Sequence, residues 1–436
     1  MRKMSMFGDK HTKLFKQFYI NTGTMFDLAT GKFRESVSSM SYFKNSTQYT
    51  LDGGLAPTTA IIGWQQSYKS AVLLSYLSRA LRMYKDSSAF VYDTENAIAG
   101  KERIEDLGIE LDSYYDTGVD IKESLVLKDK TNLEMEGFFE KVQEIAAERA
   151  KHIKDYMVES SFIDLKTMKP IMTVVPFFIT VDSLSMMQSK AEIDLLEKHQ
   201  IGASETNTIY MNDARHKSTF MRQVPTLAAK AGIYFLMSAH LGTKKDMDRF
   251  ADKRKPSQYL RQDAAIKSVG TQFGFLSNTM IECSSATLLQ DSNKKCQYIS
   301  QFGASPPTEL SKISQKIIRG KNNVSGIVLK PVVSQNFGIQ SGVSEFEYLI
   351  EDKTTISGDR GKAKFILYES INITRQKLRS LLSDNYEFYR ALEIMSQMIF
   401  LKLYWIPRMK PLQLLHKKSI EEITDMMIKG NKIKIS

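Results

Sequence analysis

The sequence predicts an α/β protein built around a central, mostly parallel sheet, and three observations support this. From Thr58 onward short apolar runs alternate with amphipathic stretches, as TTAIIGW, AVLLSYLSRALRMY and SAFVYDTE, the strand–helix–strand order of a βαβ unit. The same theme returns at residues 225–242, where VPTLAAKAG closes a helix at Gly232 and IYFLMSA supplies the next strand. A turn running from Gly63 to Lys69-Ser70 joins the first strand to the first helix.

Taken in order, residues 1–45 are polar, carry Phe15, Phe18, Tyr19 and Phe26 without a long periodic stretch, and read as an amino-terminal arm. Residues 46–355 form the core. Within it Leu133, Phe138, Val142, Ile145, Ile153 and Met157 recur at helical spacing, so a covering helix is expected from Leu133 to Met157. The stretch from Asp155 to Lys169 looks like an insertion, and Pro176 interrupts the run leading into FFITVDSLS. Residues 241–270 are polar and too long for an ordinary connection in a compact domain. SNTMIECSS, ATLLQ, KIIRG and SGIVLKPVV read as further strands. Residues 356–436 are expected to be a small, mostly helical carboxy-terminal domain, helical from Thr374.

Composition bounds the function. The 436 residues hold 60 Lys+Arg against 49 Asp+Glu, a net charge of +11 that suits a polyanionic partner without requiring one. Cys283 and Cys296 stand apart, with no CxxC pair and no nearby histidine cluster, so neither a disulfide framework nor a zinc site is indicated and a reducing compartment is expected. The longest apolar runs are shorter than the ~20 residues of a membrane helix, and MRKMSMFGDK lacks the apolar core of a secretory signal. A cytoplasmic protein with no membrane partner is expected.

Gly63-Trp64-Gln65-Gln66-Ser67-Tyr68-Lys69-Ser70 has the register of a P-loop, GxxxxGK[ST], whose backbone N–H groups and helix amino terminus cradle phosphates. Tyr68 stands where most P-loops have a second glycine. Lys69 would reach the β- and γ-phosphates of ATP and Ser70 would supply a hydroxyl to Mg²⁺. Asp182 ends a run of the Walker B kind, and Glu95 in FVYDTEN suits a base for the attacking water. Either carboxylate alone also fits a helix cap or a solvated strand end; the order P-loop, glutamate, aspartate is more specific than its parts.

On these segments the chain resembles the RecA family over residues 24 to about 350, and within it the UvsX-type phage recombinases, where an aromatic residue likewise precedes the P-loop lysine. TMFDLATG resembles the segment before the P-loop, VYDTEN the strand of the catalytic glutamate, and ITVDSLSMMQSKAEI the Walker B strand with the first DNA-binding loop. YFLMSAHLGTKK is similar to the strand of the γ-phosphate sensor, which puts His240 in that role. VGTQFGFLSNTMIE resembles the end of the second mobile loop, and KIIRGKNN the turn whose basic residues, here Arg319 and Lys321, reach ATP on a neighbouring protomer. The resemblance implies a RecA-like P-loop core, ATP and Mg²⁺, head-to-tail helical filaments on single-stranded DNA, pairing with double-stranded DNA, and single-strand-binding or mediator proteins as partners. The acidic tail common in the family is missing: residues 401–436 carry eight Lys/Arg against three acidic residues.

Residues 241–270 hold Lys244, Lys245, Arg249, Lys253, Arg254, Lys255, Arg261 and Lys267 against four aspartates, with Phe250 and Tyr259 among them. Basic groups interleaved with aromatics suit the phosphates and bases of a single strand. They equally suit a solvated loop whose aromatics pack back on the body. Two other functions share the phosphate site: a hexameric DNA helicase, separated by a closed ring in place of an open filament, and an ATP-binding mediator that hydrolyses little.

Overall fold

The apolar runs become strands of one large sheet, in a computed structural model that describes residues 15–37, 47–84, 86–95, 106, 125–129, 134–164, 167–198, 206–243, 259–261, 263–299, 309–352, 356–357, 363–365 and 372–405. Its strands are β1 (Thr58–Gly63), β2 (Ser88–Asp93), β3 (Leu125–Asp129), β4 (Phe177–Asp182), β5 (Ile233–Thr243), β6 (Thr279–Leu288), β7 (Leu310–Gly320), β8 (Val332–Ser334) and β9 (Gly338–Ile339). They lie in the order β9-β8-β7-β6-β1-β5-β4-β2-β3, and two short strands, Ala264–Ile266 beside β5 and Val328–Leu329 beside β7, bring the total to 11. From β6 to β3 every neighbouring pair is parallel; β7, β8 and β9 extend the edge antiparallel. The protein is therefore mixed α/β with a mostly parallel sheet, as expected.

The described helices are α1 (Met25–Thr30), α2 (Lys69–Met83), α3 (Met135–Lys151), α4 (Lys190–Lys198), α5 (Thr206–Ala231), α6 (Gly270–Leu276), α7 (Val343–Asp352), α8 (Arg375–Asp384) and α9 (Tyr386–Phe400). Successive side chains of a strand point to opposite faces, so apolar residues along the central strands serve two layers. Ala60 and Ile62 of β1 and Phe235 and Met237 of β5 pack with Phe138 and Val142 of α3 and Phe220 and Val224 of α5. Ile61, Leu236 and Phe178 pack on the other side with Val72, Tyr76 and Leu77 of α2. Truncating a central side chain such as Phe235 to alanine would cost about 3–5 kcal/mol.

Three sequence expectations change. The helix expected to reach Met157 ends at Lys151; a 3-10 turn follows, and Met157 opens a hairpin of Met157–Asp164 with Lys169–Val174. Met157 lies four residues after Ile153 and so mimicked one more helical turn. SNTMIECSS and ATLLQ form one strand, β6, interrupted by an irregularity between Ser284 and Thr287. The polar stretch from 241 begins inside β5, which runs to Thr243, and its end returns as Ala264–Ile266 before α6.

The described part of the amino-terminal segment is built into the body. Ile20, Met25, Phe26 and Leu28 join the α2-side core, and Lys32–Val37 pairs with Thr47–Asp52. At the other end α8 and α9 share a core with Leu310, Val332 and Phe346, while the Trp405 indole donates to the carbonyl of Leu28 at 3.0 Å. Residues 406–436, with most of the basic excess, lie outside the described residues. Among the described residues no helix is long and apolar enough to cross a membrane.

Candidate functional site

Strand register sets up the site. Gly63 pairs with His240 across β1 and β5, and Asp93 pairs with Asp182 across β2 and β4. The carboxyl ends of four neighbouring parallel strands thus present Gly63, His240, Asp182 and, two residues beyond β2, Glu95. This is the edge at which open α/β sheets bind ligands.

The turn after β1 is tightly wound. A Cβ on Gly63 would stand 2.3 Å from Ser67 Oγ and 2.6 Å from the Cys283 carbonyl oxygen, so only glycine fits. The Ser67 hydroxyl donates to the Trp64 carbonyl at 2.7 Å, and Lys69 Nζ donates to the same oxygen at 3.1 Å. Tyr68 adopts the left-handed conformation (φ 61, ψ 21) that glycine normally supplies in this motif. That costs a non-glycine residue about 1–2 kcal/mol. Its ring packs against the α2-side core and its hydroxyl meets Ser311 Oγ at 2.7 Å, which holds the turn in place. No side chain caps α2, so the first N–H groups of this 15-residue helix are free to face an anion.

The charges around the turn are coupled. Burial pushes the Lys69 ammonium below its ordinary value, opposed by Glu95 and Asp182. Burial pushes the Asp182 carboxyl up, while the hydroxyls of Ser238 and nearby Ser70 pull it back. Ser238 Oγ donates to Asp182 Oδ1 at 2.5 Å, and Oδ2 is buried without a hydrogen-bond partner. Glu95 Oε1 meets His240 Nε2 at 2.5 Å, and this hydrogen bond holds the Glu95 carboxyl below its usual range against the effect of burial. Thr94 laces β2 to β4: its N–H donates to the Asp182 carbonyl, and its hydroxyl exchanges hydrogen bonds with Ser183, all at 2.7 Å.

A Mg²⁺ ion fits this donor set only in company. Among the described residues no group of three or more His, Cys, Asp or Glu could hold a metal by itself. The orphaned Oδ2 of Asp182 and the Ser70 hydroxyl suit an ion that keeps several waters and arrives with phosphates.

The structure thus brings together Gly63, Ser67, Tyr68, Lys69, Ser70, Asp182, Glu95 and His240. Arg319 and Lys321 lie elsewhere: β7 sets Gly320 level with Thr279, and β6 sets Thr279 level with Thr59 at the amino end of β1. They are roughly 13 Å along the sheet from Gly63 and face the opposite edge. Arg319 Nε is buried without a hydrogen-bond partner, and burial and Arg319 together lower Lys321. Arg261 is exposed, paired with Asp263 at 3.0 and 2.6 Å, and stands 5.9 Å from the Trp64 ring of the turn. Lys267 is exposed beside β5. Lys244, Lys245, Arg249, Lys253, Arg254 and Lys255 lie outside the described residues. The segment 187–206, expected from the resemblance to be the first DNA-binding loop, is helical over Lys190–Lys198, as α4.

Sequence reading missed Ser238 and Thr94. Ser238 sits two residues before His240 on an otherwise apolar strand, and a hydroxyl at that spacing is the one signal that marks it. No family model matches the chain, and no curated protein matches it.

Proposed function

We propose that the chain is an ATP-dependent recombinase of RecA type that assembles head-to-tail on single-stranded DNA and promotes strand exchange. The observation that carries this reading is the convergence of Lys69, Ser70, Asp182, Glu95 and His240 on one sheet edge around an uncapped helix terminus. The sheet order is compatible with a RecA-like core.

In this reading Lys69 leaves the Trp64 carbonyl for the β- and γ-phosphates, and the α2 N–H groups hold the remaining phosphate oxygens. Ser70 and Asp182 would hold Mg²⁺ together with its waters, and the ion would supply neutralisation of the phosphate charge. Glu95, kept ionised, takes the proton of the attacking water. An arriving γ-phosphate competes for His240 Nε2, so ATP itself frees the Glu95 carboxylate. Arg319 and Lys321 face away from their own P-loop, which fits a role on a neighbour's ATP; a heterologous interface of this kind that does not close makes a filament.

Electron microscopy of the protein with single-stranded DNA and a slowly hydrolysed ATP analogue tests the reading. Open helical filaments are expected. Closed rings would favour the helicase reading, and no nucleotide-dependent assembly would overturn the proposal.

A further inference from the structure

The described amino-terminal segment walls a cavity that the steps above leave unused. The cavity, of about 460 Å³, is lined by Lys16 and Phe18, by Lys32 and Arg34 of the strand Lys32–Val37, and by Phe162 and Ile171 of the hairpin Met157–Asp164 with Lys169–Val174. Its floor is apolar: the buried rings of Phe18 and Phe162 stack with centroids 4.0 Å apart. Its rim is basic. Lys16 Nζ stands 5.4 Å and Arg34 Cζ 5.9 Å from the Phe18 centroid, and Lys32 adds a third cation. Among the described residues none that lines the cavity is acidic.

The walls are held before any ligand arrives. The Lys16 N–H donates to the Met172 carbonyl at 3.0 Å, and the Tyr234 hydroxyl donates to the Phe18 carbonyl at 2.6 Å. Gln17 Nε2 donates at 3.0 Å to the carbonyl of Ile233, the first residue of β5, so the cavity lies at the amino end of the parallel strands while the P-loop lies at their carboxyl end. The charges of the rim are not balanced. Asp52 is buried, with Oδ2 accepting Arg34 Nε at 2.5 Å and Oδ1 accepting the Tyr19 N–H at 2.7 Å. Burial, Arg34 and Lys32 push the Lys16 ammonium below its ordinary value, against the pull of Asp52. One carboxylate against three cations leaves an excess of positive charge over an apolar floor, where an anion is bound more strongly than in open water.

We infer that this cavity is a second phosphate-ester site, which takes one nucleotide with its phosphate on Lys16 and Lys32 and its uncharged part over the floor of Phe18 and Phe162. Arg34 spends its planar fork on Asp52, so the remaining donors are two ammonium groups from separate chain segments. Point charges from two directions suit the several oxygens of a phosphate, whereas the flat edge of a carboxylate is matched by one bidentate arginine. The volume is larger than a bare phosphate needs and falls in the range of sites for small organic ligands. An aromatic floor favours a planar base over a sugar alone. The nucleotide is either free or one unit of a single strand, and the chemistry of the site is the same for both. The site stands apart from the P-loop and does not depend on ATP hydrolysis there.

The test uses the full chain as wild type, as the double variant Lys16→Gln with Lys32→Gln, which removes two charges and keeps the stems, and as Lys16→Arg with Lys32→Arg, which keeps the charges. Hydrogen exchange is followed in peptides covering 15–20, 32–37 and 157–174 with thymidine monophosphate, thymidine, a dT oligonucleotide or a glutamate oligomer of equal charge. Exchange over 63–72 in the same samples reports the P-loop separately, so failure there and failure at the cavity are told apart. Thymidine monophosphate or the dT oligonucleotide should protect the three peptides and thymidine should not. The concentration for half protection should rise about tenfold or more in the Gln variant, as expected for the loss of two charge-assisted contacts, and stay within about threefold in the Arg variant. Protection by the monophosphate at the lower concentration of phosphate groups identifies a free nucleotide as the occupant, and protection by the oligonucleotide alone identifies a strand; both bear out the site. Protection by thymidine equal to that by its monophosphate, protection by the glutamate oligomer equal to that by the oligonucleotide, protection by none of the probes, or wild-type half protection in the Gln variant would each overturn it.

Discussion

Asp27 at the start of α1 and Asp182 at the end of β4 are both buried aspartates, and burial pushes both carboxyls up, Asp27 to about 6. Their surroundings differ. Both Asp27 oxygens accept the Thr22 N–H, at 2.8 and 2.9 Å; Oδ1 also takes the Thr22 hydroxyl at 2.7 Å and Oδ2 the Gly23 N–H at 2.8 Å. Asp182 receives the Ser238 hydroxyl on Oδ1, while Oδ2 is left without a partner. The first carboxylate is saturated by its own loop and closes the entry to α1. The second has unfilled acceptor capacity beside the P-loop. Burial and a raised pKa are common to both, so the incomplete hydrogen-bond set beside Lys69 is what marks Asp182 as the candidate ligand position.

The largest expected effect separates the two directly. Asp182→Ala should lower ATP turnover by about 1000-fold while moving the thermal unfolding midpoint by less than about 4 °C, because the carboxylate it removes is only half satisfied. Asp27→Ala should do the reverse. It leaves the buried Thr22 N–H and hydroxyl without their carboxylate acceptor, at about 1–3 kcal/mol each, with turnover per folded molecule retained. If Asp27→Ala abolished turnover without loss of stability, the contrast would break.

The pH dependence sharpens it. The folded value of Asp27, about 6, lies above its ordinary 3.8, so the folded chain binds more protons than the unfolded one between these values. Its contribution to stability is therefore greatest at low pH and declines by about 3 kcal/mol as pH rises through this window. The difference in stability between wild type and Asp27→Asn should show that slope. A difference independent of pH would mean that Asp27 is not held as described.

A smaller effect is expected at Glu95. Glu95→Gln keeps the shape and a hydrogen-bonding partner for His240, so ATP affinity should persist while turnover falls about 100-fold. Equal losses of affinity and turnover would make Glu95 a binding residue. The smallest effect concerns the loop. Replacing Lys253, Arg254 and Lys255 by alanine should flatten the salt dependence of single-stranded DNA binding by about 2 units in log–log slope. An unaltered slope would assign those charges to solvated surface.

Much of the candidate site's arrangement was legible because its pattern is local. Lys69-Ser70 follow a strand directly, and Asp182 and Glu95 end apolar runs, so motif and pattern agree without knowledge of tertiary contacts. Tyr68 was legible as a departure from the motif; how its backbone manages without glycine was not, because the answer is Ser311, 243 residues away. Ser238 and Thr94 act through neighbours in space, and nothing local singles out one hydroxyl from the other serines and threonines. The amino-terminal segment misled for a similar reason. Ile20, Phe26 and Leu28 lack periodicity because they pack one at a time against α2 and the carboxy-terminal Trp405, not along one helix face. The hairpin at Met157–Val174 was hidden by Met157, whose spacing from Ile153 fits a helix as well as the strand it begins.

ATP hydrolysis by the purified chain, measured with and without single-stranded DNA beside the Lys69→Ala variant, tests the central claim most directly. Lys69 is the buried cation that would neutralise the β- and γ-phosphates. The account predicts turnover that rises when single-stranded DNA is added and that vanishes in Lys69→Ala while the folded state persists. Turnover that survives in Lys69→Ala, or a wild-type chain that neither binds nor hydrolyses ATP, would contradict it.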